Sequence, residues 1–120
     1  MNKLLIVDDE EDVREFAASF FRKRKINVLT ASSGQEAISI FEKERPHLVL
    51  LDIKMQGLDG IETLRQLKEK FKDPKVIMVT GKEPQEDNVL KICQDLGVLD
   101  YIHKPLELDK LEQIVIKNLK

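Results

Sequence analysis

Cysteine is nearly missing from this chain of 120 residues, because Cys93 is its single example. One cysteine cannot build a disulfide framework, and such cysteine usage is typical of a reducing compartment. Long apolar segments are missing too, since no run approaches the roughly 20 residues of a membrane-spanning helix. The apolar stretch near the first residues is too short for the apolar region of a secretory signal. These absences predict a soluble, cytoplasmic protein with no membrane partner.

Charge of one sign is not in excess either. The chain has 22 acidic and 20 basic side chains, which gives a formal net charge of −2. This balance argues against direct nucleic-acid binding and against an anionic membrane surface. The composition of 42% apolar and 35% charged residues is typical of a globular protein. At this length one domain is expected, so residues 1–120 are predicted to form it.

Five short apolar runs alternate with patterns of helical period. The runs are residues 4–7, 26–31, 48–51, 76–79 and 101–102. The first, third and fourth are continuous rather than alternating, as expected of parallel strands that are covered on both faces. A strand followed by a helix, five times over, predicts an α/β fold with a parallel sheet, right-handed crossovers and helices on both faces.

The helical segments carry their own signals. In the first, apolar side chains recur at helical spacing at Val13, Phe16, Ala17, Phe20 and Phe21. This stripe predicts that the phenylalanines of the first helix belong to the core. Ser33 before Glu36 and Asp59 before Glu62 are typical of capping boxes that begin the second and third helices. Gly97 stands where a helix C-terminal cap is expected, and Cys93 is predicted to be buried in the helix before it.

Polar side chains follow four of the predicted strands. They are Asp8 and Asp9 after the first strand, Asp52 after the third, Thr80 after the fourth and Lys104 after the fifth. The carboxyl ends of parallel strands share one edge of the sheet, where ligands bind. The sequence therefore predicts that three carboxylates, a hydroxyl and an ammonium meet at that edge.

This combination of groups indicates phosphoryl chemistry. Carboxylates that crowd together raise one another's pKa unless a cation intervenes, and a cluster of oxygen donors suits Mg²⁺. A lysine and a hydroxyl beside them suit a phosphoryl group, which an aspartate can accept as a covalent aspartyl-phosphate. The alternative is that Asp9 and Asp52 only cap helices. The convergence of five polar positions argues against that interpretation.

The chain resembles the receiver domain of two-component response regulators, in its single-domain, chemotaxis-regulator-like form. The matching segments are residues 6–10, 50–55, 59–60, 79–81 and 100–101, followed by 104–105. The resemblance extends from Lys3 to about Leu119. It implies a flavodoxin-like fold: a five-stranded parallel sheet in the order 2-1-3-4-5, doubly wound with five helices.

The resemblance also implies roles for the acidic residues. Asp52 would be the phosphoacceptor, and the donor would be a phosphohistidine of a sensor histidine kinase or a histidine phosphotransfer protein. Asp9 would bind Mg²⁺ directly and Asp8 largely through water. Asp52 and the backbone carbonyl of Lys54 would complete the protein ligands.

The remaining matched residues would form a switch. Thr80 would hydrogen-bond a phosphoryl oxygen, and Lys104, expected to contact little but Asp52 before phosphorylation, would pair with the phosphoryl group. Tyr101 would turn inward as Thr80 moves, and the bond before Pro105 would be cis. The resemblance implies a regulatory domain rather than an enzyme, with at most self-catalysed phosphotransfer and slow autodephosphorylation. Its output would be a changed surface of helix 4, strand 5 and helix 5, offered to a downstream effector protein or domain.

Three positions depart from the family or vary within it. Gln56 stands where the family often has proline, and Lys54 and Lys82 occupy positions that tune the lifetime of the phosphoryl group. The main alternative is a Mg²⁺-dependent phosphohydrolase with an aspartate nucleophile, but such enzymes would have a second acid where Lys54 stands. The sequence also leaves open a stand-alone regulator, a phosphorelay intermediate, or the receiver fragment of a longer regulator or hybrid kinase.

Overall fold

The computed structural model describes residues 3–53, 59–81, 87–104 and 106–119. Strands and helices alternate along these ranges in the predicted order. They are β1 (Lys3–Val7), α1 (Glu11–Arg22), β2 (Asn27–Ala31), α2 (Gly34–Glu44), β3 (Leu48–Asp52), α3 (Gly60–Lys70), β4 (Val76–Thr80), α4 (Asp87–Asp95), β5 (Asp100–His103) and α5 (Leu108–Leu119). In the described part of the chain, no helix has both the length and the apolar character needed to cross a membrane.

The five strands form one parallel sheet in the order β2-β1-β3-β4-β5. This confirms the predicted α/β fold and its flavodoxin-like strand order. Val7 of β1 is in register with Ala31 of β2 on one side and with Leu51 of β3 on the other. The chain order reverses at β1, so the crevice between the ends of β1 and β3 is the topological switch point of the sheet.

Apolar side chains cover both faces of the sheet. Leu5 and Val7 belong to one buried cluster, whereas Leu4 and Ile6 belong to the other. The alternation follows from the period of two along a strand, and it explains why the central strands are apolar without interruption. Cys93 is buried in the first cluster, as predicted, and burial raises the pKa of its thiol to about 11. A thiol in that state is chemically inert at neutral pH.

The prediction that all the phenylalanines of α1 lie in the core was wrong for one of them. Phe16 is 59% exposed, whereas Phe21 is fully buried and Phe20 is half-buried. The buried face of α1 is formed by Ala17, Ala18 and Phe21. At about 100° per residue, Phe16 lies roughly 150° around the helix from the middle of that face. The small side chain of Ala18 therefore faces the sheet, and the larger ring of Phe16 does not.

The helix ends follow the predicted capping signals with one variation. The Ser33 hydroxyl accepts a hydrogen bond from the Glu36 N–H at 3.1 Å, and the Asp59 carboxylate accepts one from the Glu62 N–H at 2.9 Å. The Glu36 carboxylate reaches the N–H of Ser32 at 2.6 Å instead of the N–H of the cap residue. Gly97 has φ of +83°, which glycine adopts without a steric penalty, so it ends the α4 turn as predicted.

Candidate functional site

The predicted site residues meet at the carboxyl edge of the sheet. Asp8 and Asp9 directly follow β1, Asp52 and Thr80 are the last residues of β3 and β4, and Lys104 directly follows β5. Asp8, Asp52 and Thr80 are 5%, 3% and 1% exposed, whereas Asp9 is open to solvent. Folding thus brings together at this edge of the sheet groups that are up to 96 residues apart in sequence.

The three aspartates form a cluster of oxygen ligands. One carboxylate oxygen from each of Asp8, Asp9 and Asp52 lies within 4.8 Å of the others. Burial is the main reason why the pKa of Asp52 rises from its ordinary 3.8 to about 6, and repulsion from Asp8 and Asp9 adds to the effect against the opposing charge of Lys104. A cation bound here would relieve that repulsion. The donor set contains oxygen only, which fits Mg²⁺.

Lys104 faces more carboxylates than the sequence predicted. Its Nζ lies 3.4 Å from Asp8 Oδ2, 3.5 Å from Asp52 Oδ2 and 3.6 Å from Glu10 Oε1. The expectation that it contacts little but Asp52 was therefore wrong, because the Lys104 side chain reaches past the end of β4 to carboxylates that follow β1 as well as to the one that ends β3. Burial opposes the charge of the ammonium, but Asp52, Asp8 and Glu10 outweigh that effect and raise the pKa of Lys104.

Thr80 and Tyr101 lie on the adjacent strands β4 and β5. The Thr80 hydroxyl donates to the Gly81 carbonyl at 3.2 Å, and the Thr80 carbonyl accepts from the Lys104 N–H at 2.6 Å. Tyr101 is half-buried against the first core cluster, and its ring meets the edge of His103 at a centroid distance of 5.3 Å. The backbone thus couples the candidate phosphoryl-binding hydroxyl directly to the candidate phosphoryl-binding lysine.

Four residues singled out from the sequence lie outside the described residues. They are Lys54, with its carbonyl ligand, Gln56, Lys82 and Pro105, with its cis bond. Their roles stay predictions.

Helix capping does not account for the aspartates. The N-cap residue of α1 is Glu10, which follows Asp9, and Asp52 belongs to β3. Asp8 accepts a hydrogen bond from the Glu10 N–H at 2.9 Å, which orients its carboxylate at the turn into α1. The alternative interpretation, in which Asp9 and Asp52 are helix caps, is therefore wrong.

Gly60 is a structural part of the site that the sequence did not assign. It begins α3, and its N–H donates to the Ile53 carbonyl at 2.8 Å. A Cβ at this position would overlap the carbonyl oxygen of Asp52 and would lie 2.6 Å from Ile53 Cα. Only glycine permits the helix to approach the end of β3 so closely. Its place directly after the cap residue Asp59 is the sequence signal that points to such a packed corner.

Comparison with known proteins gives consistent results. A family model described as the response regulator receiver domain matches residues 4–116. Sporulation initiation phosphotransferase F from Bacillus subtilis (strain 168) is 37% identical over 117 residues, which cover 98% of this chain and 93% of that protein. Among solved structures, a CheY-like receiver domain protein from Methanospirillum hungatei JF-1 matches with a TM-score of 0.86 at 28% identity, over 98% of this chain and 94% of that one. A receiver protein from Pseudomonas putida matches with a TM-score of 0.88 at 29% identity, over 97% and 96% of the two chains.

Proposed function

Because the chain belongs to the response regulator receiver domain family, we propose that Asp52 accepts a phosphoryl group from a phosphohistidine of a partner protein. The chain is a phosphorylation-activated signalling switch of a two-component or phosphorelay system. The observation that carries the assignment of Asp52 is its position: a buried carboxylate at the topological switch point, with two further aspartates and a lysine around it. In this proposal residues 1–120 form one receiver domain.

The transfer is a substitution at phosphorus. A carboxylate oxygen of Asp52 bonds to the phosphorus, the P–N bond to the donor imidazole breaks, and the bonding pair returns to the imidazole nitrogen. Asp52 must be ionised to attack, and its pKa of about 6 leaves it largely ionised at neutral pH. Lys104 lies 3.5 Å from this carboxylate, where its charge favours the ionised form and then the phosphoryl oxygens.

The acidic cluster supplies the place for a divalent cation. Asp8, Asp9 and Asp52 would hold Mg²⁺, together with the backbone carbonyl of Lys54. When bound, Mg²⁺ neutralises charge on the phosphoryl oxygens during transfer. Asp9 is the most accessible of the three carboxylates, which supports its assignment as a direct ligand.

The switch would act through the ends of β4 and β5. A phosphoryl group on Asp52 would attract the Thr80 hydroxyl and the Lys104 ammonium. The backbones of these two residues are already joined by the hydrogen bond from the Lys104 N–H to the Thr80 carbonyl. Tyr101 is on β5, in register with Met78 of β4, so a shift of the β4 end reaches it through adjacent backbone. We propose that the surface of α4, β5 and α5 changes in consequence and binds a downstream effector protein or domain.

The proposed partners follow from the same chemistry, and a cytoplasmic location belongs to the same proposal. A sensor histidine kinase or a histidine phosphotransfer protein would supply the phosphoryl group, and both would meet this chain in the cytoplasm. Membership of the receiver family supports a regulatory role rather than that of a hydrolase with its own substrate.

A second proposal concerns the fate of the phosphoryl group. The sporulation relative is named a phosphotransferase, which supports onward transfer from Asp52 to a histidine of another protein. Transfer of labelled phosphate from the phosphorylated chain to a histidine phosphotransfer protein would distinguish a relay intermediate from a terminal switch.

Intact mass measurement tests the acceptor directly. The protein is incubated with Mg²⁺ and acetyl phosphate, and a single phosphoryl adduct is expected. Asp52→Asn should abolish the adduct, whereas Asp12→Asn, which removes an exposed carboxylate of α1, should leave it unchanged. An adduct that survives Asp52→Asn, or that forms equally well with a metal chelator present, would contradict the proposal.

A further inference from the structure

Lys104 has one partner that does not belong to the proposed metal site. Its Nζ is 3.6 Å from Glu10 Oε1, and the Glu10 side chain is 66% exposed. The other two partners, Asp8 and Asp52, are buried and belong to the cluster of three aspartates. If Asp8 and Asp52 held a cation, Glu10 would be the carboxylate of these three that was left to compete for the ammonium.

Glu10 also occupies the N-cap position of α1 without capping the helix through its side chain. It is the N-cap residue of α1, with φ of −87° and ψ of 112°, and its side chain makes no capping hydrogen bond. Short side chains such as serine or aspartate are favoured there because they reach the free N–H groups of the first turn. The longer glutamate side chain extends to Lys104 instead. The unused cap position and the contact with Lys104 are separate observations on one side chain.

We infer that Glu10 is a positioning residue that restrains Lys104 at the outer rim of the pocket and weakens its contact with a phosphoryl group on Asp52. The inference rests on the proposed function of Asp52. Asp8 and Asp52 hold the ammonium from the buried side, so Glu10 is not needed to keep Lys104 in the pocket. The Glu10 carboxylate attracts the Lys104 ammonium towards solvent, away from Asp52. Its negative charge would also repel the negative charge of a phosphoryl group bound next to Lys104. The active state therefore forms against this restraint.

Beryllofluoride imitates the phosphoryl group, so its affinity in the presence of Mg²⁺ reports how strongly Glu10 restrains Lys104. Glu10→Gln should bind beryllofluoride about two- to fivefold more tightly, which is the range of an exposed ion pair. Glu11→Gln is the matched control: it removes the same charge from the next residue, and Glu11 is not among the ion-pair partners of Lys104 in the described structure. It should change the affinity much less.

The double variant separates restraint of Lys104 from a general effect of charge. In a Lys104→Met background, the gain from Glu10→Gln should fall to that of Glu11→Gln, because no ammonium remains to be released. An equal gain in both backgrounds would show that Glu10 acts only as a nearby charge. Weaker binding by Glu10→Gln, or unchanged binding, would also overturn the inference.

The two proposals fail in different ways. If the unmodified protein does not bind beryllofluoride, or if Asp52→Asn binds it as well, the acceptor proposal fails and the inference about Glu10 fails with it. If beryllofluoride binding requires Asp52 but its affinity is unchanged in Glu10→Gln, the acceptor proposal stands and only the proposed restraint by Glu10 is refuted.

Discussion

Replacement of Asp52 by asparagine should make the protein more stable at neutral pH while it removes the proposed acceptor. Burial and the neighbouring aspartates raise the pKa of Asp52 from 3.8 to about 6, a difference of about two units. Each unit corresponds to about 1.4 kcal/mol, so the ionised carboxylate costs the native state at most about 3 kcal/mol at pH 7.5. Asparagine keeps the shape without the charge but loses the contact with Lys104. We therefore expect a net gain below that limit, of about 1–2 kcal/mol in the free energy of unfolding.

The pH dependence gives this prediction its sign. The native state binds the Asp52 proton more tightly than the unfolded chain does, because its pKa is higher in the native state. Ionisation of this group therefore costs native stability progressively as pH rises from about 4 to about 6, and the cost is constant above that window. At pH 4 the native carboxyl is protonated, so the advantage of asparagine should be largely gone.

Urea unfolding measures the effect, with far-UV circular dichroism as the signal because the chain has no tryptophan. Asp52→Asn and the unmodified protein are compared at pH 7.5 and pH 4, in chelator. Asp12→Asn serves as the exposed control and should stay within about 0.5 kcal/mol. Added Mg²⁺ should narrow the difference at pH 7.5, since it stabilises the intact cluster more than the variant. A loss of stability at pH 7.5, or the same gain at both pH values, would refute the reasoning.

Three further changes test other parts of the site. Gly60→Ala should destabilise the fold by about 1–3 kcal/mol and slow phosphorylation, because its Cβ overlaps the β3 backbone; Gly81→Ala, whose Cβ would meet no atom within 4 Å, should have a small effect on unfolding in urea. Lys104→Ala should still take up phosphate from acetyl phosphate but should fail to shift the Tyr101 ring signal in NMR spectra, and a full shift would contradict its proposed role. Asp9→Ala should weaken Mg²⁺ binding in a calorimetric titration, and an unchanged affinity would remove Asp9 from the ligand set.

The alternation of strands and helices is determined by the sequence itself. Continuous apolar runs such as residues 48–51 and 76–79 are local patterns, and their short length after Pro46 and Pro74 predicts buried parallel strands. Once the sheet is parallel, every residue directly after a strand lies at the same edge. For that reason the convergence of Asp8, Asp52 and Lys104 follows from their positions in the chain, without knowledge of any contact.

Only the tertiary structure decides how elements rotate and how closely they approach one another. The exposure of Phe16 depends on which side of α1 meets the sheet, and that side is the one that carries Ala17, Ala18 and Phe21. The contact of Lys104 with Glu10 depends on where the end of β5 lies relative to β1, two strands that are separated by β3 and β4. The need for glycine at position 60 depends on how closely the start of α3 approaches the backbone of Asp52 and Ile53 at the end of β3. These three features depend on packing between segments that are distant in sequence. The spacing of apolar residues within one segment carries no information about that packing.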